Sequence, residues 1–142
     1  MLRSIASTFT VLLLLAAPAT ARAADPEHVD VAGAEALLGT KTEIVVLDVR
    51  TPGEFEAIHL AGAKNIDIDG ASFREDAAKL DRDQAYLVHC AAGIPGGRSA
   101  RSVEILEELG FTRVYHLDGG INAWKAAGKG VEGTAAGSVA SD

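Results

Sequence analysis

Cysteine is nearly absent: the chain holds one, Cys90, among 142 residues. A single thiol forms no intrachain disulfide and founds no cysteine-rich metal site. Aromatic residues are scarce too, at 5%. A core must then be assembled mainly from Ala, Val, Ile and Leu, and the 48% hydrophobic content supplies enough of them. Positive charge is in deficit, with 13 Lys and Arg against 20 Asp and Glu, for a formal charge of −7. Such a surface repels polyanions, which argues against nucleic acid and anionic membranes as partners. With 23% charged residues beside that apolar content, the chain has the composition of one folded domain rather than of a disordered segment.

Long hydrophobic runs are missing as well. The apolar run at residues 11–17 falls far short of the roughly 20 residues that a membrane-spanning helix needs. Arg3 precedes it, Pro18 breaks it, and Ala21-Arg22-Ala23 is a small-x-small site. This order predicts a secretory signal peptide over residues 1–23, with cleavage after Ala23. No cysteine near that site offers an attachment point for a lipid. Cleavage would take away Arg3 and Arg22 and no acid, so 13 basic side chains become 11 against 20 acidic, a formal charge of −9. The expected address is periplasmic or secreted, with no membrane insertion after cleavage. In such an oxidising compartment a lone thiol is a liability unless it is buried and inert, or useful. Cys90 is therefore the residue to explain.

Residues 24–128 read as alternating strands and helices. A short edge strand over 28–31 leads to a short helix over 33–38. Residues 44–49, Ile-Val-Val-Leu-Asp-Val, have the continuous apolar character of a strand buried on both faces of a parallel sheet. Thr51-Pro52 then reads as N-cap and first helical residue, with Glu54 at the capping-box spacing. A weaker strand over 63–68 precedes Asp69-Gly70. Ser72 is expected to cap a helix over 73–80, with Glu75 completing a capping box. Strand 85–89 runs straight into Cys90. Residues 99–109 carry the 3.6-residue period of a helix, stopped at Gly110. A last strand over 114–117 turns through Asp118-Gly119-Gly120 into a helix over 121–127, ended by Gly128. Residues 129–142, rich in Gly, Ala, Ser and Thr, read as a disordered tail. Alternation of this kind implies an α/β fold with a mostly parallel sheet and helices on both faces. In such sheets ligands bind beyond the carboxyl ends of the strands, where Cys90 falls.

The segment after strand 85–89 is Cys90-Ala91-Ala92-Gly93-Ile94-Pro95-Gly96-Gly97-Arg98-Ser99. Small residues let backbone amides turn inward on a common centre. The helix N-terminus aims unpaired N–H groups and a partial positive charge at the same point. Arg98 adds a full charge with two parallel donors. Together they should lower the thiol below its usual value of about 8.5 and favour a thiolate. The bland alternative is a small buried hydrophobe beside glycines that serve only the turn. Strand alternation puts Tyr86, Val88 and Cys90 on one side and His89 on the other, which makes His89 a poor general base. His28, His59 and His116 show no ligand spacing and read as structural; no metal site and no cofactor is expected. Asp48 and Arg50 end strand 44–49 at the same sheet edge and could border the pocket, or Arg50 could pair with Glu54 four residues on, which is the favoured reading. Trp124 and Phe55 are expected in the core or as a lid.

Residues 47–55, Leu-Asp-Val-Arg-Thr-Pro-Gly-Glu-Phe, and 58–66, Ile-His-Leu-Ala-Gly-Ala-Lys-Asn-Ile, resemble the first signature of rhodanese domains. Val88-His89-Cys90, Gly97-Arg98-Ser99-Ala100 and residues 117–124, Leu-Asp-Gly-Gly-Ile-Asn-Ala-Trp, resemble the others, in the family's order. Several motifs in register over residues 27–128 make the likeness specific. The resemblance implies a five-stranded parallel sheet flanked by helices. It also implies transfer of a sulfane sulfur from thiosulfate or a similar small anionic donor, through a Cys90 persulfide, to cyanide or a thiol, without cofactor or metal. Carried over, Cys90 is the sulfur carrier. Amides from Ala91, Ala92, Gly93, Gly97 and Ser99 would cradle it, and Arg98 would hold the donor anion. Two departures stand out. Seven residues separate Cys90 from Arg98, where rhodaneses usually have four and related phosphatases and arsenate reductases five. Ile58 and Ala61 stand where Gly and Pro are more usual. The Ile94-Pro95-Gly96 segment either bulges outward and leaves a normal cradle, enlarges the pocket for another donor, or costs the geometry. Two rival readings share the fold. A phosphatase or arsenate reductase is disfavoured because residues 91–97 hold no acid to donate a proton. A non-catalytic binding module is disfavoured by the presence of Cys90 and Arg98.

Overall fold

Residues 85–89, buried at every position, run through the middle of the sheet and carry the chain to Cys90. The computed structural model describes residues 27–40 and 42–138, and the predicted leader at 1–23 lies outside them. The elements are β1 (Glu27–Val29), α1 (Val31–Leu38), β2 (Ile44–Asp48), α2 (Pro52–Ala57), β3 (His59–Leu60), β4 (Lys64–Asn65) and α3 (Phe73–Ala78). They continue with β5 (Ala85–His89), α4 (Arg98–Glu108), β6 (Val114–Leu117), α5 (Gly120–Ala126), β7 (Val131–Glu132) and a 3-10 turn at Ala136–Ser138. Five strands form one sheet in the order β1-β6-β5-β2-β4, and every pair in it is parallel. This is the α/β architecture that the alternation of elements predicts.

The period-2 geometry of β5 divides the core. Tyr86, Val88 and Cys90 pack on one face with Phe73 and Ala77 of α3 and Val103 and Leu106 of α4. Leu87 packs on the other face with Ala34 of α1 and Ile121 and Trp124 of α5. Helices therefore cover both faces, and the side on which Cys90 lies is the α4 side. Among the described residues no helix is long and apolar enough to cross a membrane.

Local signals set most of the element ends. Thr51 and Glu54 form the reciprocal capping box of α2, with Pro52 in the first helical position. Gly110, at φ +90°, ends α4: its N–H donates to Glu107 O and that of Phe111 to Leu106 O, the Schellman pairing. Other ends differ from the sequence reading. Asp30, rather than continuing β1, accepts from Gly33 N at 2.8 Å and caps α1, which starts two residues earlier than predicted. Only Lys64–Asn65 of the predicted strand 63–68 is ladder-paired with β2. Ser72 makes no backbone cap; its hydroxyl donates instead to the Asp76 carboxylate at 2.7 Å.

The largest difference concerns the tail. Residues 131–132 form β7, antiparallel to β3, while Thr134 N and Ala135 N donate to Glu56 O and Ala57 O at 2.9 Å each. Trp124 Nε1 donates to Gly130 O at 3.0 Å. These bonds use backbone groups, which composition does not reveal. Residues 129–138 thus belong to the fold rather than to a disordered tail.

Candidate active site

β5 ends at His89, and the next residue, Cys90, is only 4% exposed. Strand alternation puts its side chain on the side of Tyr86 and Val88, as the sequence predicts, and that side faces α4. Gly93 N donates to Sγ at 3.3 Å, and the Ser99 hydroxyl lies 3.2 Å from the same sulfur. The amides of Ser99 and Ala92 also act on the sulfur. Burial by itself pushes the Cys90 thiol up, but these hydrogen bonds outweigh it and leave it below its ordinary value. The amides around the sulfur are thus those of Ala92, Gly93 and Ser99, whereas Gly97 N donates to Ile94 O at 3.0 Å.

That bond explains the loop length. Ile94 to Gly97 is a closed β-turn with Pro95 and Gly96 in the central positions and Gly96 at φ +69°, the arrangement of a type II turn. The extra residues leave the cradle and stand outward, with Ile94 57% exposed at the tip. Of the three outcomes that the sequence leaves open, the outward bulge is the one observed.

The loop is held from behind by α5. Ile121 N donates to Cys90 O and Asn122 N to Ala91 O, each at 3.0 Å. Gly93, at φ +53°, passes so close to this helix start that a Cβ there would come within 2.4 Å of Leu117 O. The Asp118-Gly119-Gly120 turn and the Cys90 loop are thus one packed unit.

Arg98 opens α4 but does not stand free. Its Nη1 and Nη2 donate to Glu54 Oε2 and Oε1 at 2.7 and 2.9 Å, a bidentate fork. The guanidinium in turn holds the Glu54 carboxyl down at about 2. Arg98 remains close enough to Cys90 for its charge to be felt there.

Asp48 and Arg50 also differ from the reading. Arg50 does not pair with Glu54. Its Nε and Nη2 donate to Asp48 at 3.0 and 2.7 Å, Nη2 also donates to Ile58 O at 2.6 Å, and both side chains are buried. Asp48 faces His89 across the β2–β5 ladder, with Nε2 3.6 Å from Oδ2. Burial pushes His89 below its ordinary value, and Asp48 and Arg50 form a buried ion pair at the carboxyl end of β2.

Sequence reasoning missed His116. Alternation along β6 puts it on the same face as Val114, toward α4, and its Nε2 lies 2.8 Å from Ser99 Oγ. Its Nδ1 lies 3.0 Å from Asp118 Oδ1, and His28 Nδ1 lies 2.8 Å from that oxygen. Applying to β6 the parity applied to β5 would have found it. Among the described residues, His28, His116 and Asp118 bring three donor atoms within 4.8 Å of one another. Those atoms are engaged in the hydrogen bonds just given, and no cation is assigned to them.

A parallel α/β sheet that delivers one thiol to backbone and hydroxyl donors at the start of a helix defines a class of domain. Within that class, the sequence profile of the rhodanese-like domain matches residues 30–127, and the chain belongs to that family. It is similar to the thiosulfate sulfurtransferase GlpE of Coxiella burnetii, at 39% identity over 87 residues, 61% of this chain and 76% of that one. It also resembles the probable adenylyltransferase/sulfurtransferase MoeZ of Mycobacterium tuberculosis, at 33% identity over 61% of this chain, and spans only 21% of that protein's length. Among solved structures, a rhodanese-related protein of Thermoplasma volcanium superposes with a TM-score of 0.64 at 34% identity, covering 75% of this chain and 97% of that one.

Proposed function

We propose that this chain is an exported, single-domain sulfurtransferase that moves a sulfane sulfur from thiosulfate or a similar anion to cyanide or a thiol. The observation that carries this reading is Cys90, a thiol kept below its ordinary range by one hydroxyl and three amides despite its burial. The thiolate attacks the outer sulfur of thiosulfate. An S–S bond forms to Cys90, the donor's S–S bond breaks, and sulfite leaves with the electron pair. The acceptor then attacks the outer sulfur of the persulfide, and the Cys90 thiolate is restored with the bonding pair. The same amides that hold the thiolate hold the terminal persulfide anion, because both place negative charge within the cradle. Arg98 attracts the donor's oxyanion, which must share the guanidinium with Glu54. The outward turn at Ile94 to Gly97 leaves a cradle sized for sulfur despite seven intervening residues. The proposed address, periplasmic or secreted, rests on the leader pattern at residues 1–23.

The test is intact mass after incubation of the mature protein with thiosulfate. A gain of one sulfur atom, absent in Cys90→Ser, is expected. Arg98→Ala should raise the thiosulfate concentration needed for loading while Cys90 alkylation proceeds as before. No mass gain with any sulfane donor would overturn the reading and leave the fold as a binding module.

A further inference from the structure

Cys90 stands at one end of an unbroken line of polar groups that runs from the buried sulfur to water. Ser99 Oγ lies 3.2 Å from Sγ and 2.8 Å from His116 Nε2. His116 Nδ1 is 3.0 Å from Asp118 Oδ1, which His28 Nδ1 approaches to 2.8 Å. Ser99 and His116 are buried, whereas the Asp118 and His28 side chains are half exposed. The inner end of the line touches the nucleophile and the outer end touches solvent.

The chemistry of these groups fixes the direction of the protons. Burial by itself raises the Asp118 carboxyl, but hydrogen bonds from His28 and His116 outweigh it and keep the group below its ordinary value. Asp118 is then a carboxylate, which only accepts, so His116 Nδ1 carries a hydrogen and Nε2 is bare in the neutral ring. The Ser99 hydroxyl, which donates to Sγ once that is a thiolate, donates to Nε2 while Cys90 is protonated, and its oxygen is then left to accept from the thiol. Every hydrogen has an acceptor in this state. Every hydrogen also has one after two protons move: S–H to Ser99 Oγ, and Ser99 O–H to Nε2. The products are a thiolate accepting from Ser99, and an imidazolium donating to Ser99 and to Asp118. No atom needs to travel farther than a hydrogen bond.

We propose that His116 is the proton acceptor for Cys90, reached through the Ser99 hydroxyl and held in the receptive tautomer by Asp118. Its use in sulfur transfer rests on the function proposed above; its effect on the thiol does not. The cradle stabilises a thiolate but, being made of donors, offers the displaced proton no acceptor to leave by. The relay supplies that exit. His116 and His28 line an open cavity of about 430 Å³ on the outer side of the loop, together with Pro95, Gly96 and residues of α4. The outward turn therefore walls an open recess beside His116 rather than the mouth of the sulfur site.

The charged groups facing His116 are His28 from β1, with ring centroids 4.9 Å apart, Asp118 on its own strand's end, and Glu104 and Glu107 of α4 around the same cavity. Cys90 faces it from β5 through Ser99, and Arg98, paired with Glu54, is the charge nearest the sulfur from α4. His116 acts through Ser99 and is a positioning residue, so its test needs a readout that packing alone would not move.

Two measurements on the full domain supply it, and neither uses a sulfur donor. The first is the pH profile of Cys90 alkylation by neutral iodoacetamide. His116→Gln retains a hydrogen-bond partner for Ser99 but accepts no proton. It is expected to move the acid limb of the profile up by about one pH unit, a roughly tenfold slower reaction at pH 6, with Asp118→Asn displaced in the same direction. The second follows the His116 ring by NMR in unmodified protein and in Cys90→Ser. If the two groups share a proton path, the ring titrates at lower pH once the thiolate is gone, because linkage is reciprocal. An unchanged alkylation profile in folded His116→Gln, or a His116 titration indifferent to Cys90→Ser, would sink the proposal. Loss of sulfur loading with both couplings intact would instead count against the transferase reading alone.

Discussion

The carboxylate of Glu54 accepts from Thr51 N and Thr51 Oγ at 3.1 and 3.0 Å and grips Arg98 with both oxygens, so one side chain ties the start of α2 to the first turn of α4. Arg98 chiefly holds its carboxyl down, from 4.5 to about 2 in the folded chain. A carboxyl depressed by folding stabilises the fold fully above its unfolded value and loses that contribution as pH falls through the folded one. For Glu54 the window runs from pH 4.5 down to about 2. The pair is partly exposed, so its contribution is modest and weakened by salt. Thermal melts of Glu54→Gln should lie below wild type by a constant margin above pH 5. That margin should shrink as the pH falls toward 2, where the wild-type carboxyl is itself protonated. A margin that does not vary with pH would show that Glu54 acts only as a helix cap.

At the scale of elements, β2 and β5 are joined over five residues in parallel register, from Ile44 opposite Ala85 to Asp48 opposite His89. The polar end of that ladder is sealed by the Asp48–Arg50 fork, with Asn65 donating to Asp48 O and Arg50 O at 3.0 and 2.8 Å. Removing one member of a buried ion pair leaves a naked charge and typically costs about 3–5 kcal/mol. Arg50→Met should therefore lower the unfolding free energy measured in urea by that order, and Asp48→Asn combined with it should recover much of the loss, since the residual charge is gone. Equal destabilisation in the single and double variants would mean that Arg50 matters for its bond to Ile58 O instead.

The same pair shows where sequence reading succeeds and where it stops. β2, β5 and α4 were legible because a buried strand and an amphipathic helix each write a period into consecutive residues. The cradle was legible because strand, cysteine, small residues and arginine are adjacent in the chain. Arg50 was assigned to Glu54 by proximity in sequence, whereas the fold carries Glu54 44 residues along the chain to Arg98 and leaves Arg50 to Asp48. His116 meets Ser99 across 17 residues, and only its parity along β6 hinted at the face it occupies. Pairings between distant segments leave no periodic trace, and the two-residue strands β3 and β7 are too short to write one.

Across the whole molecule, those two short strands decide how far the domain extends. The five-stranded sheet closes without β7, and the Cys90 cradle is assembled from β5, the following loop, α4 and the start of α5. β7 instead clasps the α2–β3 connection: it pairs with β3, and Thr134 and Ala135 donate to the last carbonyls of α2. Glu132 adds a contact to His59 at 3.6 Å, and Gly133, at φ +121°, fits where a Cβ would press within 2.5 Å of Ala57 O. A chain ending at residue 130 should thus keep its main sheet and cooperative melt but lose a handful of hydrogen bonds, each worth about 1 kcal/mol net. At about 4 °C per kcal/mol for a domain of this size, that corresponds to a Tm lower by roughly 15–25 °C. The freed backbone of β3 and the end of α2 should exchange their amide hydrogens faster, while Cys90 alkylation, governed by groups on the other side of β5, should proceed at the wild-type rate. If the melt and the exchange of residues 56–60 are both unaltered by the truncation, the clasp contributes nothing. If alkylation changes with them, α2 reaches the thiol through the Glu54–Arg98 fork, and the cradle depends on chain that lies well outside it.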